Sequence, residues 1–306
     1  PPKRAALTAR SRAKVRPALS PLAEARLVFA HDLRRRLLGP RGIVLATLAL
    51  LLGGASTAAV VSIAQAQLEK ARAAGVTPAA LDVARRSALG MFYSDADTQA
   101  ALLDAPLPLV VLFWLSVWLA PALVWLVGYD AIAGELQGRT LRYAAPRVRR
   151  EAFYVGKAAS TFASAFATAA AMHGAVWIVL LAQGSVGDPL SALLWGVKFL
   201  GAVGAITAAW TGVAVLASGL MDTSGSALLA VAGAFAALFF TGFLVPRTVG
   251  LDPQLARALL ALYPNGYDAW LLSPELGRAA AALLGCLTFA AAPTAAGAAW
   301  LARRDI

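Results

Sequence analysis

Six long apolar segments constrain the fold of this 306-residue chain more than any other feature. They cover roughly residues 43–64, 107–127, 158–182, 190–217, 226–245 and 279–301. A helix needs about 20 apolar residues to cross the hydrocarbon core of a bilayer, and its backbone groups must be paired there. We therefore expect six membrane-spanning helices rather than a β-barrel, whose strands would alternate polar and apolar residues.

The composition excludes the soluble classes of protein. Hydrophobic residues make up 59% of the chain and charged residues 14%, against about 45–50% and about 25% in soluble domains. In a soluble fold, this much apolar surface would leave large exposed patches. One cysteine (Cys286) and two histidines cannot build an internal disulfide or a multi-histidine site. We expect no metal site and no catalytic residue in this chain.

The distribution of positive charge predicts how the chain crosses the membrane. Residues 1–42, the loop 128–157 and the closing residues together hold 19 of the 27 Lys and Arg side chains. Basic residues concentrate on the cytoplasmic side of membrane proteins. Both termini are therefore predicted to be cytoplasmic, in the inner membrane of a bacterium. The net charge of +11 is then a signal of orientation, and no nucleic-acid partner is expected.

The spans divide the chain into three parts. Residues 1–42 are predicted to form a cytoplasmic basic tail and an amphipathic helix, residues 43–301 the six-span domain, and residues 302–306 a cytoplasmic tail. The six-span domain has an inner loop at 128–157 and outer loops at 65–106 and 246–276. In the second outer loop, residues 255–262 are predicted to form a short amphipathic helix, and Tyr263 and Trp270 are predicted to mark the outer membrane interface.

The segment before the first span interleaves apolar residues with arginines over residues 22–38. This pattern predicts an amphipathic helix that lies in the layer of lipid headgroups. Gly39 and Pro40 then break the helix, so that the chain turns into the bilayer. A helix that is simply solvated beside the membrane is the alternative.

The inner loop carries the most informative motif. Gly134 and Gly138 weaken a helix and Pro146 ends one, which predicts a short helical turn between them, over residues 140–143. Such a helix, held parallel to the membrane, would give a cytoplasmic partner protein a surface to push. The candidate residues for this contact are Asp130, Glu135, Gly138, Thr140, Leu141, Arg142, Pro146, Arg149 and Arg150. The alternative is an ordinary basic loop that only fixes the topology.

Together with Gly156 and Lys157 at the start of the third span, this loop resembles that of the type-2 permease family of ABC exporters. The family has six spans, both ends inside, and in this loop an acidic residue, a Gly/Thr-Leu group, a Pro with Arg residues, and Gly-Lys. The closing Arg303 and Arg304 are also typical of it. One departure is visible, because Arg139 separates Gly138 from Thr140, whereas the family usually has Gly and Thr adjacent.

The resemblance implies a transmembrane subunit that works with two copies of a cytoplasmic ABC ATPase. A homodimer of this chain is the simplest assembly, and a heterodimer with a related permease is the alternative. Gly156-Lys157 lacks the other residues of a phosphate-binding loop, because Glu151 and Ala158 occupy the places of Gly and Ser/Thr. We therefore expect this chain to be no enzyme and to bind no cofactor directly, with ATP and Mg²⁺ on the partner ATPase.

His173 lies near the middle of the third predicted span. An ionisable residue within the membrane is a candidate for function, so His173 is a candidate for the substrate path. A hydrogen bond between helices explains it as well. Two other functions remain open at this point, a membrane scaffold or sensor without transport and a secondary transporter, although no row of acidic residues crosses the membrane as in a proton-coupled antiporter.

Overall fold

A computed structural model describes residues 19–93, 95–141, 148–184 and 188–304. The described elements are α1 (Pro21–Leu38), α2 (Pro40–Ala73), α3 (Pro78–Gly90), α4 (Ala96–Ala101), α5 (Leu107–Gly128), α6 (Ala133–Gln137), α7 (Arg150–Ala182), α8 (Pro189–Leu220) and α9 (Ser224–Phe239). A π-helical turn (Phe240–Leu244) continues α9, and α10 (Val245–Thr248), α11 (Pro253–Leu260), a 3₁₀ turn (Pro264–Tyr267), α12 (Asp268–Leu271) and α13 (Leu276–Arg303) follow. Every regular element in these ranges is helical, as the apolar segments predict.

Five helical stretches in the described ranges are long and apolar enough to cross a membrane. They are Leu107–Gln137, Arg150–Ala182, Pro189–Leu220, Ser224–Thr248 and Leu276–Arg303. The first predicted span lies within α2, a helix of 34 residues, of which the structure describes the side chains of the apolar part Pro40–Leu51 without a gap. The count of six spans therefore stays a prediction, with five supported by length and composition.

The helix α8 forms the centre of the core. It packs against α5, α7, α9 and α13, and its side chains Phe199, Ile206 and Trp210 are almost fully buried. Gly212 lets the backbone of α13 come close, because a Cβ atom there would collide with the carbonyl oxygens of Phe289 and Ala290. A helix with apolar residues on all sides is expected at such a buried position.

Two boundaries differ from those predicted. The helix α7 begins at Arg150, eight residues before the predicted third span, so the end of the predicted inner loop is helical. Its first turns are polar but carry buried, paired side chains, which hydropathy alone does not detect. In the second outer loop, the helix predicted over residues 255–262 is α11, at Pro253–Leu260, where Asp252 caps the backbone N–H groups of Gln254 and Leu255.

Candidate coupling site

The first helix lies directly against the third predicted span. Ser20 caps α1, since its Oγ accepts a hydrogen bond from Ala23 N at 3.3 Å. The helix then packs along α7. At the crossing, a Cβ atom on Gly156 would lie 2.7 Å from the carbonyl oxygen of Ala25 and 2.7 Å from Cβ of Val28. Glycine at this position is therefore what allows the two backbones to approach.

A buried ionic cluster joins α1, α6 and α7 next to this crossing. Lys157 Nζ lies 2.7 Å from Asp32 Oδ1 and 2.6 Å from Glu135 Oε1. The side chains of Lys157 and Asp32 are only 5% and 2% exposed. Arg36 Nε lies 2.7 Å from Asp32 Oδ2, which also accepts a hydrogen bond from Ser160 Oγ at 2.5 Å. We call Asp32, Lys157 and Glu135 the ionic cluster.

The carboxylates of the ionic cluster are held in the charged form. Burial alone would raise the pKa of Asp32, but the charges of Arg36 and Lys157 and the hydrogen bonds outweigh it and hold that pKa far below its usual value. Burial opposes the charge of Glu135 as well, and Lys157 is the main group that lowers its pKa. Two carboxylates facing two cations leave the cluster balanced, which is the condition for burying charge.

The short helix α6 is also anchored to the centre of the bundle. The hydroxyl of Ser218 on α8 accepts hydrogen bonds from the backbone N–H groups of Ile132 and Ala133, at 3.1 and 3.2 Å. The side-chain oxygen of Gln137 accepts one from Ser224 N at the start of α9, at 2.9 Å. These contacts satisfy backbone groups that a helix end leaves unpaired. They fasten α6 at both ends.

Further polar contacts place α1, the start of α2 and the end of α13 at the same end of the bundle as α6. Arg41 Nη1 lies 2.9 Å from Asp130 Oδ2, and Arg149 N donates to Glu24 Oε2 at 2.8 Å. Arg150 donates to the carbonyl oxygens of Ala302 and Arg304 at the end of α13. The first helix, the inner loop and the last helix therefore meet at one end of the bundle.

Comparison with known families decides the class of protein. A family model described as "ABC-2 family transporter protein" matches residues 26–258, well over half of the 306 residues. This chain belongs to the ABC-2 transporter family. A comparison with curated proteins finds no match.

Membership confirms the resemblance that the inner loop indicates. The ABC-2 protein is a multi-pass membrane protein and a transmembrane permease of an ABC transporter, and permeases of this family generally work with an ATPase subunit. The matched range begins within α1 and ends within α11. It includes the whole ionic cluster.

The predicted coupling residues of the ABC-2 protein divide into buried and exposed groups. Glu135 belongs to the ionic cluster, and Leu141 is 1% exposed in a small apolar core beneath the loop. Asp130, Arg149 and Arg150 make the internal contacts given above. Gly138 and Thr140 are exposed, with the Thr140 hydroxyl donating to Glu135. Arg142 and Pro146 lie outside the described residues.

Arg139, the residue that departs from the family pattern, has an unusual backbone. Its φ is 55°, and it is the one non-glycine residue with positive φ in the described ranges. Gly138 has an ordinary helical φ of −75°. Arg139, and not Gly138, therefore makes the left-handed turn between α6 and Thr140. This conformation is costly for a residue with a Cβ atom.

Sequence analysis missed Asp32, the residue that ties the first helix to the coupling loop. The signal was present in the spacing of Ala25, Val28 and Asp32, which lie on one helical face with Gly156 and Lys157 opposite. An acidic residue on the apolar stripe of a basic helix needs a buried partner. Lys157 was recognised only as part of a motif, and its position does not by itself reveal a contact 125 residues away.

The side chain of His173, which belongs to α7, contacts the second predicted span. It is 6% exposed, and its Nε2 lies 2.9 Å from Ser116 Oγ on α5. A role for His173 in the substrate path stays a prediction. Within the described ranges, no group of three His, Cys, Asp or Glu side chains is placed to hold a metal ion.

Proposed function

We propose that this chain is the transmembrane subunit of an ABC exporter, and that residues 135–150 couple it to a separate cytoplasmic ATPase. The observation that carries the proposal is the attachment of the five-residue helix α6 to four longer helices. It contacts α1 and α7 through the ionic cluster, α8 through Ser218 and α9 through Gln137. A loop that only fixed the topology would not need such anchoring.

The turn beyond α6 is the surface that the ATPase would contact. Gln137, Gly138, Arg139 and Thr140 are exposed there. A push on this turn moves α6, and the buried contact between Glu135 and Lys157 passes the displacement to α7. Packed helices resist compression, so α1, which is bound to the same lysine, moves with them.

The proposed assembly has two permease copies and two ATPase copies, with ATP and Mg²⁺ bound by the ATPase and with both termini in the cytoplasm of a bacterium. The placement of α1 in the headgroup layer is supported by Leu22, Leu27 and Leu38, which are 72%, 59% and 67% exposed. Water alone would be a poor environment for these side chains, and lipid is a good one. Export is favoured because the outer segments are modest in size for docking a solute-binding protein.

The exposed Arg139 is the sharpest probe of the ATPase contact. Glu135, Arg149 and Arg150 are bonded within the chain, so their removal would disturb the fold together with any contact. Within the described ranges, Arg139 forms no ion pair. Arg139→Glu reverses the charge of the exposed turn, and Arg86→Glu is the matched control, because Arg86 is exposed on α3 in the first predicted outer loop.

The experiment is a purification of the tagged chain in mild detergent, with identification of co-purifying proteins and an ATPase assay. We expect a P-loop ATPase to co-purify with the unaltered chain and with Arg86→Glu. We expect Arg139→Glu to weaken its binding about tenfold, the effect of about 1.4 kcal/mol at a charged rim. A well-folded chain that carries no ATPase and turns over no nucleotide would refute the proposal and favour a scaffold or a secondary transporter.

A further inference from the structure

A cavity of about 430 Å³ lies at the end of the bundle away from α6. It is formed by the middle of α5, the segment between α3 and α4, the π-helical turn after α9, and the segment around α12. Its walls include Trp114, Trp118, Phe243 and Tyr263, together with the carboxylate of Asp268. A cavity of this size is in the range that holds small organic ligands.

The aromatic rings of the cavity are arranged in contact with one another. The centroids of Trp118 and Phe243 are 5.1 Å apart, with the rings at 88°. Trp114 and Trp118 are 5.9 Å apart, as are Phe243 and Tyr263. The negative face of an aromatic ring attracts a cation within about 6 Å, and clusters of such rings recognise alkylammonium groups.

Two polar groups of the cavity have unused capacity. Within the described ranges, Asp268 forms no ion pair, and its carboxylate accepts a hydrogen bond from Ala269 N at 2.7 Å. The hydroxyl of Tyr93, a residue that is 3% exposed, has no hydrogen-bond partner there. A buried polar group without a partner is costly. A ligand that bonded to both groups would remove that cost.

The charge of the cavity favours a cation. Asp95 and Asp268 both line it, against one cation, Arg247. The guanidinium of Arg247 is already engaged, because it stacks over the ring of Phe243 at 4.0 Å and donates to the carbonyl oxygen of the same residue at 3.1 Å. Burial raises the pKa of Asp268 to about 6, and a neighbouring positive charge would lower it again by stabilising the ionised form.

We propose that this cavity binds an alkylammonium group, with the charged nitrogen beside Asp268, a hydroxyl or N–H group of the ligand bonded to the Tyr93 hydroxyl, and the alkyl substituents against Trp114 and Trp118. The group would come from a free organic cation or from the ammonium of a lipid headgroup. The site goes beyond the coupling function and does not depend on it, because the purified permease holds every residue that forms it.

The test uses choline as the probe and 3,3-dimethylbutanol, its uncharged analogue of the same shape. Binding to the purified full chain is measured by calorimetry in detergent and in nanodiscs. We expect choline to bind and Asp268→Asn to weaken it at least tenfold, because the amide keeps the shape and removes the charge. Tyr93→Phe should weaken it several-fold. Asp252→Asn is the matched control, since Asn also caps α11, and it should bind choline normally.

The pH dependence is a second readout. The titratable and charged groups that act on Asp268 are Tyr93, Tyr263 and Arg247, and Asp95, whose pKa is lowered by its hydrogen bonds with Thr98, lines the same cavity. Burial raises the pKa values of Tyr93 and Tyr263, and hydrogen bonds lower that of Asp95, so these three groups keep their charge between pH 5 and 8. Choline affinity should therefore fall as the pH decreases through about 6, where Asp268 becomes neutral.

Nanodiscs made with phosphatidylethanolamine or with phosphatidylglycerol separate the two sources of the ammonium. Weaker choline binding only in phosphatidylethanolamine would identify the lipid headgroup as the competitor, whereas equal binding in both would identify a free cation. The proposal is overturned if choline and the uncharged analogue bind equally, if Asp268→Asn has no effect, or if choline does not bind in phosphatidylglycerol nanodiscs at pH 7.5.

Discussion

Replacing Lys157 by Met tests the ionic cluster most directly. Met keeps the length of the side chain and removes the charge between Asp32 and Glu135. Asp32 would keep Arg36, but Glu135 would keep only Arg35, whose side chain is 65% exposed and therefore contributes little. Breaking a buried ion pair by removing one partner costs about 3–5 kcal/mol. Because Asp32 retains one close cation, we expect the lower end, about 3 kcal/mol.

This loss should appear as local undocking of α1. About 3 kcal/mol corresponds to a roughly 150-fold increase in the equilibrium for opening, which hydrogen exchange measures amide by amide. The amides of α1 should exchange that much faster in Lys157→Met, while those of α8 and α13 should change little. Lys198→Met is the matched control, because Lys198 forms no ion pair in the described ranges; its Nζ donates to the carbonyl oxygen of Leu272 at 2.9 Å and lies 5.0 Å from the ring centroid of Trp195.

The double variant Lys157→Met with Asp32→Asn separates the ion pair from simple loss of packing. The amide introduced by Asp32→Asn carries no charge to bury, so the double variant should be less destabilised than the sum of the single variants, by about 1–2 kcal/mol. If α1 amides exchange at the original rate in Lys157→Met, or if the two substitutions are additive, the ionic cluster does not hold the first helix in place.

Three further outcomes are expected. Gly156→Ala should loosen α1 by about 1–3 kcal/mol, because its Cβ would lie 2.7 Å from a backbone oxygen of that helix, whereas Gly174→Ala, with open space in the same helix as Gly156, should be neutral or stabilising; equal exchange rates in the two variants would contradict this. Arg139→Gly should relieve about 1 kcal/mol of backbone strain, visible as a higher midpoint of thermal unfolding, and a lower midpoint would contradict it. The pKa values of Asp32 and Glu135 are lower in the folded protein than in the unfolded chain. The stabilisation of the folded state by these two carboxylates is therefore complete above the unfolded pKa values of about 4 and is lost as the pH falls below them. The hydrogen-exchange rates of the α1 amides, corrected for intrinsic rates, should rise at pH 3 but not between pH 6 and 8.

The membrane-spanning fold could be read from the sequence because hydropathy is a property of each segment by itself. Five of the six apolar segments coincide with helices long enough to cross a bilayer. The start of α7 could not be read in this way. Its first turns contain Arg150, Glu151 and Lys157, which count as loop by hydropathy but form a helix because Lys157 is neutralised by partners on other elements.

The loop of the candidate coupling site could be located from the sequence, but its contacts could not. The motif around Glu135 and Thr140 lies in this loop, but the short helix α6 is at Ala133–Gln137 and includes Gly134, whereas the turn predicted over residues 140–143 lies partly outside the described residues. The pairing of Lys157 with Asp32 joins positions 125 residues apart, and no local pattern encodes such a contact. The arginines that surround Asp32 also conceal it, since a carboxylate among them resembles an ordinary surface pair.

The aromatic cavity was missed for a different reason. Tyr263 and Trp270 fit a membrane-interface belt. This interpretation treats each ring singly. The cavity exists because the π-helical turn and the segment around α12 bring Phe243 and Asp268 to the same place, which depends on tertiary packing.

The two proposed sites are both hydrogen-bonded to the helix α8. On α8, Trp210 Nε1 donates to Asn265 Oδ1 at 2.7 Å, and Asn265 Nδ2 donates to the carbonyl oxygen of Val117 on α5 at 2.9 Å. Asn265 lines the aromatic cavity, while Ser218, about 12 Å further along α8 at 1.5 Å per residue, holds the start of α6. A ligand in the cavity and an ATPase on the loop would therefore bias the positions of one shared, tightly packed unit. Thermodynamic linkage then fixes the relation between them, because a cation that changes ATPase affinity by some factor must have its own affinity changed by the same factor when the ATPase binds.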